Sequence, residues 1–304
     1  MSAFSPMSSA RKRTATGAIL TGLFCAGAAF GTAQGQGVSR QDASIPNFAP
    51  SSAMGWLKAG VGDEFLPPDT GPGPVVADTT QSFGSNFLLT PGNPRPYRIA
   101  DLKNPILQPW VVEKMRKANE EVLAGKVGFT ARSRCWPHGV PGFLLYPVHP
   151  IFFIQTPNEV VMTWGQDFQL RHVFLNVPHS ANPKPSWYGE SVGHYENGDT
   201  LVVDTIGFND RTYIDNFRTP HTDKLHVVER FHLNNGGKNI EVSFTVEDPG
   251  TFTMPWRAKV DFQRGSGARS GDWSESICAD NPIDYFADDK PGAVPIPRAD
   301  KPDF

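Results

Sequence analysis

Cysteine is scarce in this chain, with 3 in 304 residues, which leaves room for one disulfide at most once Cys25 is set aside with the N-terminal segment. There is no excess of basic residues: 28 lysines and arginines stand against 31 acidic residues. Such a balance argues against nucleic acid as the main partner. Apart from one stretch near the N-terminus, no run of apolar residues is long enough to span a bilayer. The usual catalytic fingerprints are missing too. There is no Gly-x-Ser-x-Gly elbow, no Walker loop and no dinucleotide-binding fingerprint. Ser191, in Gly189-Glu190-Ser191-Val192-Gly193, has a relaxed elbow spacing but leads into a strand and not a helix.

What is present begins with Arg11-Lys12-Arg13, followed by an uncharged stretch from Thr14 to Ala33 rich in Ala, Gly, Leu and Phe. A basic cluster, an apolar core and small residues at Gly31 and Ala33 have the form of a secretory signal, with cleavage expected after Ala33. Phe24 stands where a small residue would precede a lipidated Cys25, so a lipoprotein site is not favoured. Removing residues 1–33 leaves 25 basic against 31 acidic residues, a formal charge of −6. The exported chain is expected in the periplasm or outside the cell. There, the remaining Cys135 and Cys278 are most economically read as a disulfide. Closing so long a loop stabilises by up to ~4–5 kcal/mol in the chain-entropy model.

Residues 34–107 hold Pro67-Pro68, Gly71-Pro72-Gly73-Pro74 and Pro94-Arg95-Pro96 with little periodicity, which predicts an extended Pro/Gly-rich arm. Over 108–126, Val111, Val112, Met115, Ala118, Val122 and Leu123 recur at helical spacing, with Pro109 suited to the first turn and Gly125 to the end. From 127 to 287 the signals are strands and turns: Ile151 to Gln155, Val160 to Trp164, Ser191 to Glu196, Asp199 to Thr205, Lys224 to Leu233, Asn239 to Glu247, Trp256 to Gln263 and Asp272 to Cys278. Asn197-Gly198 between two β-prone runs is a strong hairpin signal. The expected fold is therefore mainly β, an antiparallel meander closing its edges as a lipocalin-like barrel, with a two-sheet sandwich as the alternative. Residues 288–304, with four prolines and mixed charge, are expected to form a flexible tail.

Several segments together carry a resemblance. They are Cys135-Trp136-Pro137-His138-Gly139-Val140-Pro141, Trp187 to Gly193, Thr200-Leu201-Val202-Val203-Asp204-Thr205-Ile206-Gly207-Phe208-Asn209-Asp210, His221-Thr222-Asp223-Lys224-Leu225-His226-Val227-Val228-Glu229-Arg230, Glu247-Asp248-Pro249 and Pro255-Trp256. The chain in this respect resembles a large, little-characterised family of secreted bacterial proteins, known mainly as hypothetical proteins. The resemblance covers roughly residues 130–282 and implies no activity.

All eight histidines lie between His138 and His232, and they are the side chains whose ordinary pKa allows proton exchange near neutral pH. Strand alternation puts Thr200, Val202 and Asp204 on one face, and His226, Val228, Arg230 and His232 on one face of the next long strand. If those faces line the barrel, Asp204, His226 and Arg230 meet in a cavity as orienter, base and anion-stabilising group. His221 is a second candidate base and Asp210 a further acid. Asn209, His194, Trp187 and Tyr195 are candidate substrate contacts. The structural alternative is an Asx turn at Gly207-Phe208-Asn209-Asp210 and an ion pair in which Asp204 or Glu229 holds Arg230. His221-x-Asp223-x-x-His226 crosses a loop-to-strand junction and matches no established zinc pattern, so no metal and no cofactor is expected. The expectation is an exported enzyme performing acid/base chemistry, elimination favoured, on a small aromatic molecule. The alternative is a lipocalin-like binding protein without catalysis.

Overall fold

The computed structural model of the chain describes residues 45–49, 55–59, 65–66, 102–124, 135–145, 149–165 and 169–264. Nine strands form a closed barrel in sequence order. They are β1 (Trp56–Lys58), β2 (Ile151–Gln155), β3 (Glu159–Trp164), β4 (Leu170–Leu175), β5 (Glu190–Glu196), β6 (Thr200–Ile206), β7 (His226–Asn234), β8 (Asn239–Glu247) and β9 (Trp256–Arg264). Among the described residues, an α-helix, α1 (Pro109–Leu123), and a short 3-10 helix, Gly142–Leu145, precede β2. The expected signal peptide, the tail, the strand at Asp272 to Cys278, and Cys278 itself lie outside the described residues.

The barrel core follows from period-two alternation. Val242, Val246 and Val260 on β8 and β9 are wholly buried, and Trp256, Phe231 and Ile240 are 1 % exposed. The two hairpins read from Asn-Gly and Asn-Asn-Gly-Gly are present. Asn197 and Gly198 have φ of 54° and 75° between β5 and β6, while Asn235, Gly236 and Gly237 take the left-handed region between β7 and β8. On α1, Val111, Met115 and Asn119 form the buried stripe, one residue per turn. Trp110 Nε1 donates to Gly250 O at 2.5 Å, and Arg218 Nη2 donates to Ala118 O at 3.1 Å, tying the helix to two barrel turns.

Two features differ from expectation. First, the meander is not wholly antiparallel: β4 pairs with β5 in parallel, Phe174 opposite Val192. The connection between them therefore crosses from one end of the barrel to the other over the outer surface, as a parallel pair requires. Second, the arm is not outside the barrel. Its Trp56–Lys58 segment pairs antiparallel with both β9 and β2, closing the ring, and Leu66 bridges to Lys259. The barrel therefore draws a strand from well before residue 127.

Candidate functional site

The alternation that builds the core also fixes where the chemistry sits. Leu201, Val203 and Thr205 of β6 are fully buried, as are Val227 and Glu229 of β7. The other faces of those strands, with Asp204, His226 and Arg230, turn outward. The side chains of Asp204, His226 and Arg230 are 41 %, 33 % and 45 % exposed. The expected inward face is thus corrected: the interior takes Leu201, Val203 and Thr205 of β6 with Val227, Glu229 and Phe231 of β7, and the candidate acid and base lie on the outer wall.

Asp204 and His226 nevertheless meet. His226 Nε2 is 2.9 Å from Asp204 Oδ1. The register opposes Asp204 to Val192 and Val228, which places His226 one diagonal step away. A second imidazole reaches the same oxygen: His179, on the crossover between β4 and β5, has Nε2 3.1 Å from Asp204 Oδ1. Each histidine also faces a glutamate through Nδ1, His179 toward Glu190 at 3.1 Å and His226 toward Glu247 at 3.5 Å. Glu190 is itself held by Ser180, whose backbone N–H and hydroxyl both donate to it at 2.7 Å. Those two bonds lower the Glu190 pKa and pin the crossover to β5.

The result is a chain of five ionisable groups, Glu190–His179–Asp204–His226–Glu247. Four ring nitrogens face carboxylate oxygens, whereas two neutral imidazoles carry only two N–H groups. His226 is held above its ordinary imidazole value, mainly by its hydrogen bond to Asp204, with partial burial opposing. Asp204 is held below the usual carboxylate range by that same bond, against its own desolvation.

The other sequence candidates disperse. Arg230 pairs with Glu196, not with Asp204 or Glu229, and lies across from Val202, a step along the barrel from the Asp204–Val228 pair. His221 is 4 % exposed. It is bonded through Nε2 to Thr212 Oγ1 at 2.7 Å and through Nδ1 to Thr222 O at 2.9 Å. Burial pushes its pKa down, and the ring lies in the core and not at a strand mouth. Asp210 is exposed in the turn after β6. Asn209 Oδ1 accepts from Arg211 N–H at 3.0 Å, the Asx turn of the structural alternative. His194 pairs with Glu196 at 2.9 Å. Trp187 packs against Trp136 with ring centres 5.5 Å apart, and the Tyr195 hydroxyl accepts from Gln155 at 2.9 Å. His221, Asp223 and His226 do not converge, and among the described residues no group of three His, Cys, Asp or Glu side chains is disposed to hold a metal ion.

Inside the barrel, Arg171 of β4 forms an ion pair with Glu229, the two side chains 2 % and 0 % exposed. Arg171 also donates to Ser191 Oγ at 3.2 Å and Thr205 Oγ1 at 2.8 Å, and its guanidinium lies 4.9 Å from the Phe143 ring centre. Beside it is a cavity of about 10 Å³ lined in part by Thr163, Trp164, Gln169 and Tyr188, room for a single water molecule. Sequence reasoning missed both His179 and Arg171. Only residue type marked His179, because its crossover has no periodicity. Arg171 did leave a signal, since alternation sets it on one face with Val173 and Leu175.

The described residues thus define a closed mixed β-barrel with a histidine–carboxylate cluster on its outer wall. No family model, curated protein or solved structure matches the chain.

Proposed function

We propose that this chain is an exported small-molecule enzyme working by proton transfer at the outer-wall cluster, with a lyase-type elimination as its reaction. The observation that carries this reading is the shared carboxylate: one Asp204 oxygen within hydrogen-bond reach of two imidazoles. Elimination needs a base to take a proton from carbon and an acid to protonate the leaving oxygen as the C–O bond breaks and the new π bond forms. His226, whose pKa its bond to Asp204 raises, supplies the acid, and His179 takes the carbon-bound proton. Both rings are partly exposed, so a substrate can reach them. The basic and apolar N-terminal segment supports export, and export in turn supports a Cys135–Cys278 disulfide and the resemblance to secreted bacterial proteins.

The test is to incubate the purified, processed protein with plant phenolics, small glycosides and lipids, and to follow stabilisation and consumption by thermal shift and mass spectrometry. A compound consumed by the wild type and spared by both His226→Ala and Asp204→Asn supports the enzyme. A compound that stabilises the protein and is recovered unchanged sinks it in favour of binding. The disulfide is checked on the same sample by the mass added on alkylation with and without reductant.

A further inference from the structure

The interior ion pair and the outer cluster share a wall. Ser191 and Thr205, which take hydrogen bonds from Arg171, are the sequence neighbours of Glu190 and Asp204. Glu229, its ionic partner, lies on β7 three residues beyond His226. Ser191 Oγ and Thr205 Oγ1 are also 3.0 Å from each other, joining β5 to β6. One guanidinium therefore grips β5, β6 and β7 from inside at the residues adjoining those that form the site outside.

Such a grip is hard to explain as stabilisation. Burying two charges costs several kcal/mol per ion, and apolar residues of like volume often serve as well or better. It is easier to explain as a key. The two faces of β6 are nearly equivalent in character, Thr200, Val202, Asp204 and Ile206 against Leu201, Val203 and Thr205. Apolar patterning alone decides weakly which face goes inward, and a slip of one residue would exchange every side chain between core and surface. A guanidinium that must find Glu229, Thr205 and Ser191 together is satisfied in only one register.

We propose that the Arg171–Glu229 bridge, with Ser191 and Thr205, is a positioning device for the outer cluster. It sets the faces of β5, β6 and β7 so that Glu190, Asp204 and His226 come within bonding distance of one another's partners. The inference rests on the outer cluster being the functional site, and its test is read without turnover. Two full-chain variants are compared with the wild type by thermal unfolding and by NMR titration of the imidazole nitrogens. Arg171→Met with Glu229→Leu removes the charges; Ser191→Ala with Thr205→Val leaves the charges and removes the hydroxyl grips.

The expected result is that the folded variants melt close to the wild type while the His226 titration midpoint falls toward the ordinary imidazole value. Asp204→Asn, expected to lower that midpoint in the wild type, should then have little further effect. Folded variants in which His226 titrates as in the wild type overturn the proposal. If the charge-free pair does not fold, the hydroxyl variant decides by the same reading. A lowered midpoint together with unchanged turnover in His226→Ala would keep the positioning role and discard the enzyme; loss of turnover with an unmoved midpoint does the reverse.

Discussion

At the scale of single residues, the two carboxylates that matter most, Asp204 and Glu229, have opposite surroundings. Asp204 is half exposed, and its bond to His226 gains little stability, under about 1 kcal/mol for so open a pair. The direction with pH is definite. The folded His226 pKa lies above its ordinary value, so its contribution is full below the unfolded pKa and is lost as pH rises through the folded one. Asp204 is shifted down, so its contribution is present above the ordinary carboxylate pKa and is lost as pH falls through the lowered one. Urea unfolding of the wild type and His226→Gln should therefore differ most in the mildly acidic range and converge above the raised imidazole pKa. A gap that widens with rising pH would contradict this assignment. Glu229 is the reverse case. Glu229→Ala leaves the Arg171 charge buried and unpaired and should cost about 3–5 kcal/mol by denaturant midpoint, far more than the paired Arg171→Met, Glu229→Leu replacement.

At the scale of elements, the crossover between β4 and β5 brings His179 to the wall. Its exit is clamped where Ser186 N–H donates to Gly207 O at 3.1 Å and Asn209 N–H donates to Ser186 O at 2.8 Å. Gly189 adopts φ of +67°, and a Cβ there would stand 2.5 Å from Ile206 O. Gly189→Ala should therefore strain both the backbone and the contact with β6, costing about 1–3 kcal/mol. Because Glu190 follows directly, the same variant should also weaken the Glu190–His179 contact, seen as a changed His179 imidazole resonance. A variant as stable as the wild type would show that the clamp yields easily. Asp248 fastens the approach to β7. It accepts from Thr222 N–H and hydroxyl, both at 2.7 Å, and from Thr251 Oγ1 at 2.8 Å. Its place beside Glu247 in the sequence thus serves the turn and not the site.

At the scale of the whole molecule, closure depends on three residues far from the rest of the barrel in sequence. Trp56 of β1 is 1 % exposed. Its Nε1–H donates to Phe48 O at 2.9 Å, and Arg264 of β9 lies 4.3 Å over its ring. Trp56→Ala should cost about 3–5 kcal/mol in unfolding free energy, and exchange of the β2 and β9 backbone amides should accelerate together as the seam opens. If only stability falls while those amides stay protected, β1 packs on the barrel without closing it.

Much of this molecule was legible in its sequence because the signals are local. Asn197-Gly198 and Asn234 to Gly237 encode backbone conformations that few other residues adopt, so the hairpins could be placed to within a residue. The spacing of Val111 and Met115 located the helix for the same reason. The grouping of His226 with Asp204 was also foreseeable for the register in which the two strands pair, since residues on one face of adjacent antiparallel strands lie side by side. Tertiary structure alone decided which way that face points. The alternation in Thr200 to Ile206 is nearly symmetric, and the choice falls to Arg171, which reaches Glu229 across 58 residues of sequence. His179 likewise meets Asp204 only because β4 and β5 run parallel. Such contacts depend on the closure of the ring, and no local periodicity records them.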